Sequence, residues 1–483
     1  MRPALAALAL TLAALPAAAA ERFTLTTVGD LIMARPLSML AQPGAFPEWR
    51  GFADALALLK RGDLTYGNME STIVDIRKFD GYPYSWDGDW MLSSLPSVAA
   101  DLRSIGIGIA SRANNHALDW GPEGMRSTGR WLALNGIAAA GTGETAAEAT
   151  APGYGTVGGR KVAIVSMVST YRPTTNALDP GPAVPYGRPG ANGLTVEPVS
   201  LVDDSSYAEL AAIACRFQAA RPCPTGAAID LFGTAIRQAQ AGETPYTYQY
   251  RVEPQDLDRI LAAIRTAKEG AGFVLATIHA HEPLTDEAAP DTWQDPAAFL
   301  RDVAHKAIEA GADIFVTTGI HHVAGVEIYR GRPILYGLGN FFWSDIQEPL
   351  SAELYQSSGN QAALAEAFAH PERATDQDLG LTVNAGTPTF APKGETAQNR
   401  TFQTMVVRST YDRDTGSVTE LRLYPIELGY GEKLSRSGIP RRAGDRIAGL
   451  VLDRVAALSP GLTLARTRED GYETGVVAVG KSR

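Results

Sequence analysis

Between Phe23 and about Asn340, short apolar runs rich in β-formers alternate with amphipathic stretches of helical period, the pattern of α/β layering. Residues 23–29 predict a strand, 52–62 a helix and 63–68 a second strand. Helix, strand and helix follow over 97–106, 106–116 and 121–136, and 162–168 is an unbroken apolar run expected for a buried strand. Further on, 254–270 and 295–311 read as helices, and 273–281 and 313–319 as strands. Residues 323–331 and 332–341 flank Arg330-Gly331-Arg332-Pro333 as a hairpin. The periodicity breaks over about 171–250, a stretch too long for a plain loop and expected to be an insertion packed over the functional site. A second irregular insertion spans about 344–400. Strand-like alternation returns from Thr401, followed by a helical pattern over 441–458, so 401–483 is expected to be a C-terminal β/α extension.

The N-terminus changes the picture of where the chain works. Residues 1–20 carry one charge, Arg2, then an Ala/Leu run and small residues leading to Glu21, as in a secretory signal peptide. No later segment supplies about 20 consecutive apolar residues, so the expectation is a periplasmic or secreted protein with no stable membrane insertion after cleavage. The only two cysteines, Cys215 and Cys223, lie close enough to close a small loop in an oxidising compartment. A formal charge of −10 without a long basic run argues against nucleic acid as a partner. It also means that an anionic substrate needs a local positive centre, which bound metal ions can supply.

Candidate chemistry gathers at the predicted strand ends. The first strand ends in Gly29-Asp30, the second in Gly67-Asn68-Met69-Glu70 and the third in Ala113-Asn114-Asn115-His116. Side chains placed there point into the crevice where open α/β sheets bind ligands. Of seven histidines, His116, His279, His281, His321 and His322 fall just past strand ends. Asp30, Glu70 and Asn115, with His279 and His321 or His322, supply enough ligands for two adjacent metals. Mixed imidazole and oxygen donors suit Mn, Fe, Zn or Co better than Mg or Ca. His116 can stay outside the ligand set as a general acid, and His281 is a second candidate for proton transfer. Asn68 and Arg112 are candidate substrate contacts, Arg112 through its guanidinium fork.

These motifs resemble the CapA family, associated with poly-γ-glutamate capsules, whose fold is that of calcineurin-like metallophosphoesterases. The resemblance rests on Val28-Gly29-Asp30, Gly67-Asn68-Met69-Glu70, the block Asn114-Asn115-His116-Ala117-Leu118-Asp119-Trp120-Gly121, His279-Ala280-His281-Glu282, and Gly319 to Glu327 running on to Leu338-Gly339-Asn340-Phe341. It covers residues 23 to about 343. It implies a layered metallophosphoesterase-like α/β sandwich over 21–343, with helices flanking the sheets. It also implies a metal-dependent hydrolase using metal-activated water on an anionic polymer or phosphoester, in company with capsule-synthesis machinery. Two departures stand out. His279-Ala280-His281-Glu282 replaces the family's His-Trp-Gly-x-Glu, and Gly319-Ile320-His321-His322 replaces a His-x-His pair, leaving His321 and His322 as alternatives. Two other functions use the same residues: a non-catalytic polymer-binding or assembly component, and a metal-dependent peptide epimerase with His116 and His281 on opposite faces.

Overall fold

The computed structural model describes residues 22–37, 51–81, 84, 91–172, 174–182, 185–217, 223, 228–282, 296–344, 400–430 and 437–479. The expected signal peptide (1–20) and all but the ends of the 344–400 insertion lie outside the described residues.

Two sheets face each other. The first has ten strands and runs from Ala465–Glu469 through Tyr472–Ala478, Val418–Glu427, Gln403–Asp412, Arg22–Met33, Leu64–Asn68 and Ile109–Ser111 to Ala138–Ala140. Asn340–Ser344 pairs in parallel with the far end of Arg22–Met33. The second has six strands in the order Val326–Tyr329, Arg332–Leu335, Ile314–Thr318, Phe273–His279, Arg160–Val168, Gly153–Val157, with a parallel centre. Its central strands are mostly apolar because both faces are covered. Val162 and Ile164 point inward to the first sheet, whereas Ala163, Val165 and Met167 meet the helices Pro254–Gly270 and Ala298–Glu309. The helices Phe52–Leu59 and Ser97–Ile105 cover the outer face of the first sheet in the same way. The result is the layered α/β sandwich, with helices outside and sheets inside.

Between the sheets, Phe23 and Phe273 pack with ring centroids 4.8 Å apart. The Tyr66 hydroxyl, fully buried, lies 2.8 Å from both Ser111 Oγ and Thr277 Oγ1. One phenol therefore ties a strand of each sheet to the other and fixes their relative height.

Two sequence expectations change and one holds. The break at 171–250 contains regular structure: Val196–Val202, Ala228–Leu231, Thr234–Gln238 and Tyr248–Val252 form a sheet, with the helix Asp204–Phe217 beside it. Short strands and turn residues hid its period. Among the described residues, this sheet leans on the outer helical layer through Tyr250 and Phe299 (centroids 5.2 Å apart), and Tyr171 and the stretch around Ala191 pack beside Ala113 and Val168. Cys215 and Cys223 are joined in a disulfide. The C-terminal region is no appendage, since Gln403–Asp412 pairs antiparallel with Arg22–Met33 from Arg22↔Asp412 to Thr27↔Val407 and completes the first sheet. Among the described residues, no helix is long and apolar enough to cross a membrane.

A chain ending at Ser344 leaves the strand Arg22–Met33 without its neighbour and removes Met405, Val407, Tyr411, Leu421 and Leu423 from the main core. It is expected to aggregate and to show no cooperative thermal transition by circular dichroism. A soluble monomer with a sharp transition would contradict this.

Candidate metal centre

The parallel strands of both sheets run in the same sense and end at the same level. Asp30 is in register with Asn68 on one side and Asn340 on the other, Asn68 with Ser111, and His279 with Thr318 and Val168. Asp30 sits at a register shift within its strand rather than beyond it. The backbone there is tightly packed: a Cβ on Gly29 would lie 1.7 Å from the Gly339 carbonyl oxygen, so only glycine fits.

An amide network holds the carboxylate side of the site. Asn68 Nδ2 donates to Asp30 Oδ1 (2.8 Å), while Ser111 Oγ (2.7 Å) and Asn114 Nδ2 (3.3 Å) donate to Asn68 Oδ1. Asn114 also donates to the Met69 carbonyl (2.9 Å), next to Glu70. Asn68 Nδ2 and Thr318 Oγ1 lie 3.1 and 3.2 Å from His279 Nδ1, which turns His279 Nε2 toward Glu70 Oε1 (3.5 Å). His321 Nδ1 is 2.9 Å from Asn340 Oδ1, and its Nε2 is 3.8 Å from Glu70 Oε1. His281 Nε2 lies 3.0 Å from His279 Nε2.

Two sets of donor atoms each cluster within 4.8 Å: Asp30, Glu70 and His279, and Glu70, His281 and His321. Burial alone would raise the Asp30 carboxyl, but the hydrogen bond and charge of His321, with His279 and Asn68, hold it below the usual range. Burial and the neighbouring Asp30 push Glu70 well above its ordinary value. Burial pulls His279 down to about 3, and burial with the adjacent imidazoles pulls His281 well below 6.5. These two histidines are thus neutral and able to act as ligands at neutral pH.

The sequence-predicted residues divide accordingly. Asp30, Glu70, His279 and His321 come together, and of the two histidine alternatives it is His321 that enters the clusters. His322 is buried but belongs to neither donor set among the described residues. Asn115 presents a buried Oδ1 without a hydrogen-bond donor, one residue after the anchored Asn114. His281, expected as a proton-transfer group, has its Nε2 3.0 Å from His279 Nε2 and falls in the donor set with Glu70 and His321. Asn68, expected to meet substrate, is fully buried with both polar atoms engaged by protein groups, so it positions Asp30 and His279. Arg112, the other expected substrate contact, donates to the Met125 carbonyl (2.7 Å) and packs against Gly129 of the helix Gly121–Leu134. Its burial pulls the guanidinium down to about 10, and it serves helix docking.

His116 is the predicted acid. Its Nδ1 lies 2.7 Å from Asp119 Oδ2, which also accepts the Leu92 N–H (2.6 Å). Asp119 was given no role by the sequence reading, although its i+3 spacing from His116 was visible. Glu282 is engaged by Ser169 Oγ (2.8 Å) and Thr170 Oγ1 (2.9 Å).

The donor set fits divalent transition metals on one structural ground in particular. Both Glu70 oxygens and Asn115 Oδ1 are buried without a hydrogen-bond partner, an arrangement costly for polar atoms unless a cation takes up their lone pairs.

Fold and site together define a layered α/β protein with a carboxylate–histidine centre where two sheets end. The chain belongs to the family described as bacterial capsule synthesis protein PGA_cap, whose model matches residues 24–344. The uncharacterized protein y4sH of Sinorhizobium fredii is 36% identical, over 93% of this chain and 92% of its own length. A probable polyglutamine synthesis accessory protein of Mycobacterium tuberculosis is 25% identical, over 61% of this chain and 60% of its own. The PGA biosynthesis protein CapA of Bacillus subtilis is 20% identical, over 65% and 61%. Among solved structures, a hypothetical protein from Thermus thermophilus aligns at 13% identity over 84% of this chain and 99% of that one, with a TM-score of 0.33. The CapA-family resemblance of the motifs is thus a family relation.

Glu70 gives a pH-dependent prediction. A carboxyl raised on folding holds its proton where the unfolded chain has lost it, so its contribution to the metal-free protein is present below the unfolded value near 4.5 and lost as pH rises above it. In chelator-treated protein, Glu70→Gln should therefore gain thermal stability relative to wild type progressively from about pH 5 to pH 8. A difference in Tm independent of pH would contradict the assignment.

Proposed function

We propose that this protein is an exported, metal-dependent hydrolytic enzyme acting in the synthesis or processing of poly-γ-glutamate or another anionic capsule polymer. The observation that carries the reading is Glu70: a buried carboxylate with no donor, within 3.5 Å of His279 and 3.8 Å of His321. Family membership supports the capsule context, and the sequence of residues 1–20 supports export.

Asp30, Glu70, Asn115, His279 and His321 would hold two divalent ions of the Mn, Fe, Zn or Co class. Such ions supply Lewis acidity, polarising a substrate oxygen and acidifying water. They also give a chain of net charge −10 the local positive potential that an anionic polymer requires. The remaining work falls to side chains. His116 is poised to hand a proton to the leaving group, and buried Asp119 fixes the orientation of its ring through Nδ1. Asn68 holds Asp30 and His279 in place, and Ser111 and Asn114 hold Asn68.

The test is a screen of phosphodiesters, phosphomonoesters and γ-glutamyl polymers with metallated protein, together with metal analysis. Asp30→Asn is expected to lower metal content. His116→Ala should keep its metal and lose turnover by roughly 10²- to 10⁴-fold. Metal-free wild type after gentle purification, or full turnover in His116→Ala, would overturn the reading. Export is checked by sequencing the N-terminus of the protein recovered outside the cytoplasm, expected to begin near Glu21.

A further inference from the structure

We propose that His281 is itself a metal ligand, forming with Glu70 and His321 a second cation position beside that of Asp30, Glu70 and His279, with Glu70 shared between the two. The inference rests on the metal-dependent reading above and adds to it a residue and a division of the donors.

The placement begins with the strand Phe273–His279. Side chains two residues apart along an extended chain leave on the same side, so His281 follows His279 toward the centre. The His281 N–H donates to Thr170 Oγ1 (2.7 Å), which fixes the backbone just past the strand end. The two rings lie 4.8 Å apart between centroids, and the His281 ring is 5.4 Å from that of His321 on the other side. His281 is therefore flanked by both histidines of the centre rather than facing an open crevice.

The donor atoms then separate into two sets, each within 4.8 Å, that overlap only at Glu70. Glu70 is suited to the overlap, because its two oxygens are buried and neither receives a hydrogen bond. An ionised carboxylate has about four lone-pair sites, enough to serve two cations at once. The approach of His279 Nε2 to His281 Nε2 at 3.0 Å could be met by a single shared proton, but that proton supplies no donor to either Glu70 oxygen. Cations satisfy both nitrogens and both oxygens together.

Gly319 makes the room. Its φ is +98°, and a Cβ there would lie 2.7 Å from His281 Cδ2 and 3.0 Å from His279 Cε1. The volume that a side chain would need is the volume in which the two imidazoles sit side by side. Three imidazoles with two carboxylates are a nitrogen-rich set, which favours Zn, Co, Fe or Mn over Mg or Ca.

The experiment titrates chelator-stripped full-length protein with Co²⁺ alone and with Zn²⁺ alone, reading ions per chain by mass spectrometry and the Co²⁺ electronic spectrum. Wild type is expected to take up two ions. His281→Ala should lose one of them, its affinity falling by more than about 100-fold, since even outer partners of ligands are worth 10- to 100-fold. His322→Ala should retain both. Gly319→Ala, which crowds both rings without deleting a donor, should weaken the same ion that His281→Ala loses. Unchanged metal-free melting by circular dichroism establishes that the variants are folded, and a misfolded His281→Ala is replaced by His281→Asn with the same expectation. Two ions retained in the folded His281 variant would overturn the proposal while leaving the metal-dependent reading intact, as would a wild type holding a single ion that His281→Ala keeps. A wild type that binds no ion would overturn both.

Discussion

Burying two carboxylates side by side is the constraint around which this molecule is organised. Asp30 and Glu70 are 1% and 0% exposed, and moving an ion of this size out of water costs several kcal/mol even after relaxation. The protein compensates them unequally. Asp30 receives Asn68 Nδ2 and the Gly319 N–H, with His321 close by. Glu70 receives no donor at all, although a hydroxyl or amide could have been supplied from any of the surrounding strand ends. The fold thus satisfies one acid with protein donors and leaves its neighbour's two oxygens without a hydrogen bond.

The two-sheet sandwich makes that burial possible. A single open sheet would present its strand ends to solvent, whereas two sheets with parallel centres bring two rows of strand ends to one level. The acids come from the first sheet and the histidines from the second, apart from His116, which follows the strand Ile109–Ser111. Their relative height is fixed by contacts well below the site, the Phe23–Phe273 pair and the Tyr66 hydroxyl between Ser111 and Thr277. Because Ser111 also donates to Asn68, one hydrogen-bonded path links the inter-sheet contact to the Asp30 carboxylate. Packing of the core and geometry of the centre are therefore parts of one network.

The C-terminal strands belong to the same logic. Gln403–Asp412 closes the open flank of Arg22–Met33, and the Met405 N–H donates to the Leu338 carbonyl, beside the Gly29–Gly339 contact that sets Asp30. Residues beyond the family match at 344 thus support the position of Asp30. The inserted sheet plays no comparable part, leaning on the outer helices through Tyr250 and Phe299.

By itself the sequence determined the layered fold and which polar residues stand at the strand ends. Short unbroken apolar runs flanked by helical periods specify buried parallel strands, and polar residues directly after such runs must lie at the strand ends. Asp30, Glu70, His279 and the candidate acid His116 were legible for that reason, and the helix over 254–270 agrees to the residue with Pro254–Gly270. What the tertiary structure decided are the matters that depend on direction rather than position. Strand spacing could not tell His321 from its neighbour His322, because the strand ends at Thr318 and the positive φ of Gly319 (+98°) and His321 (+56°) leaves no alternation to follow. It could not turn Arg112 toward its helix, engage both polar atoms of Asn68 with protein groups, join Asp119 to His116, or set His281 between His279 and His321. Each of these rests on which group lies across the space between two sheets, and pairing across that space leaves no period in the chain.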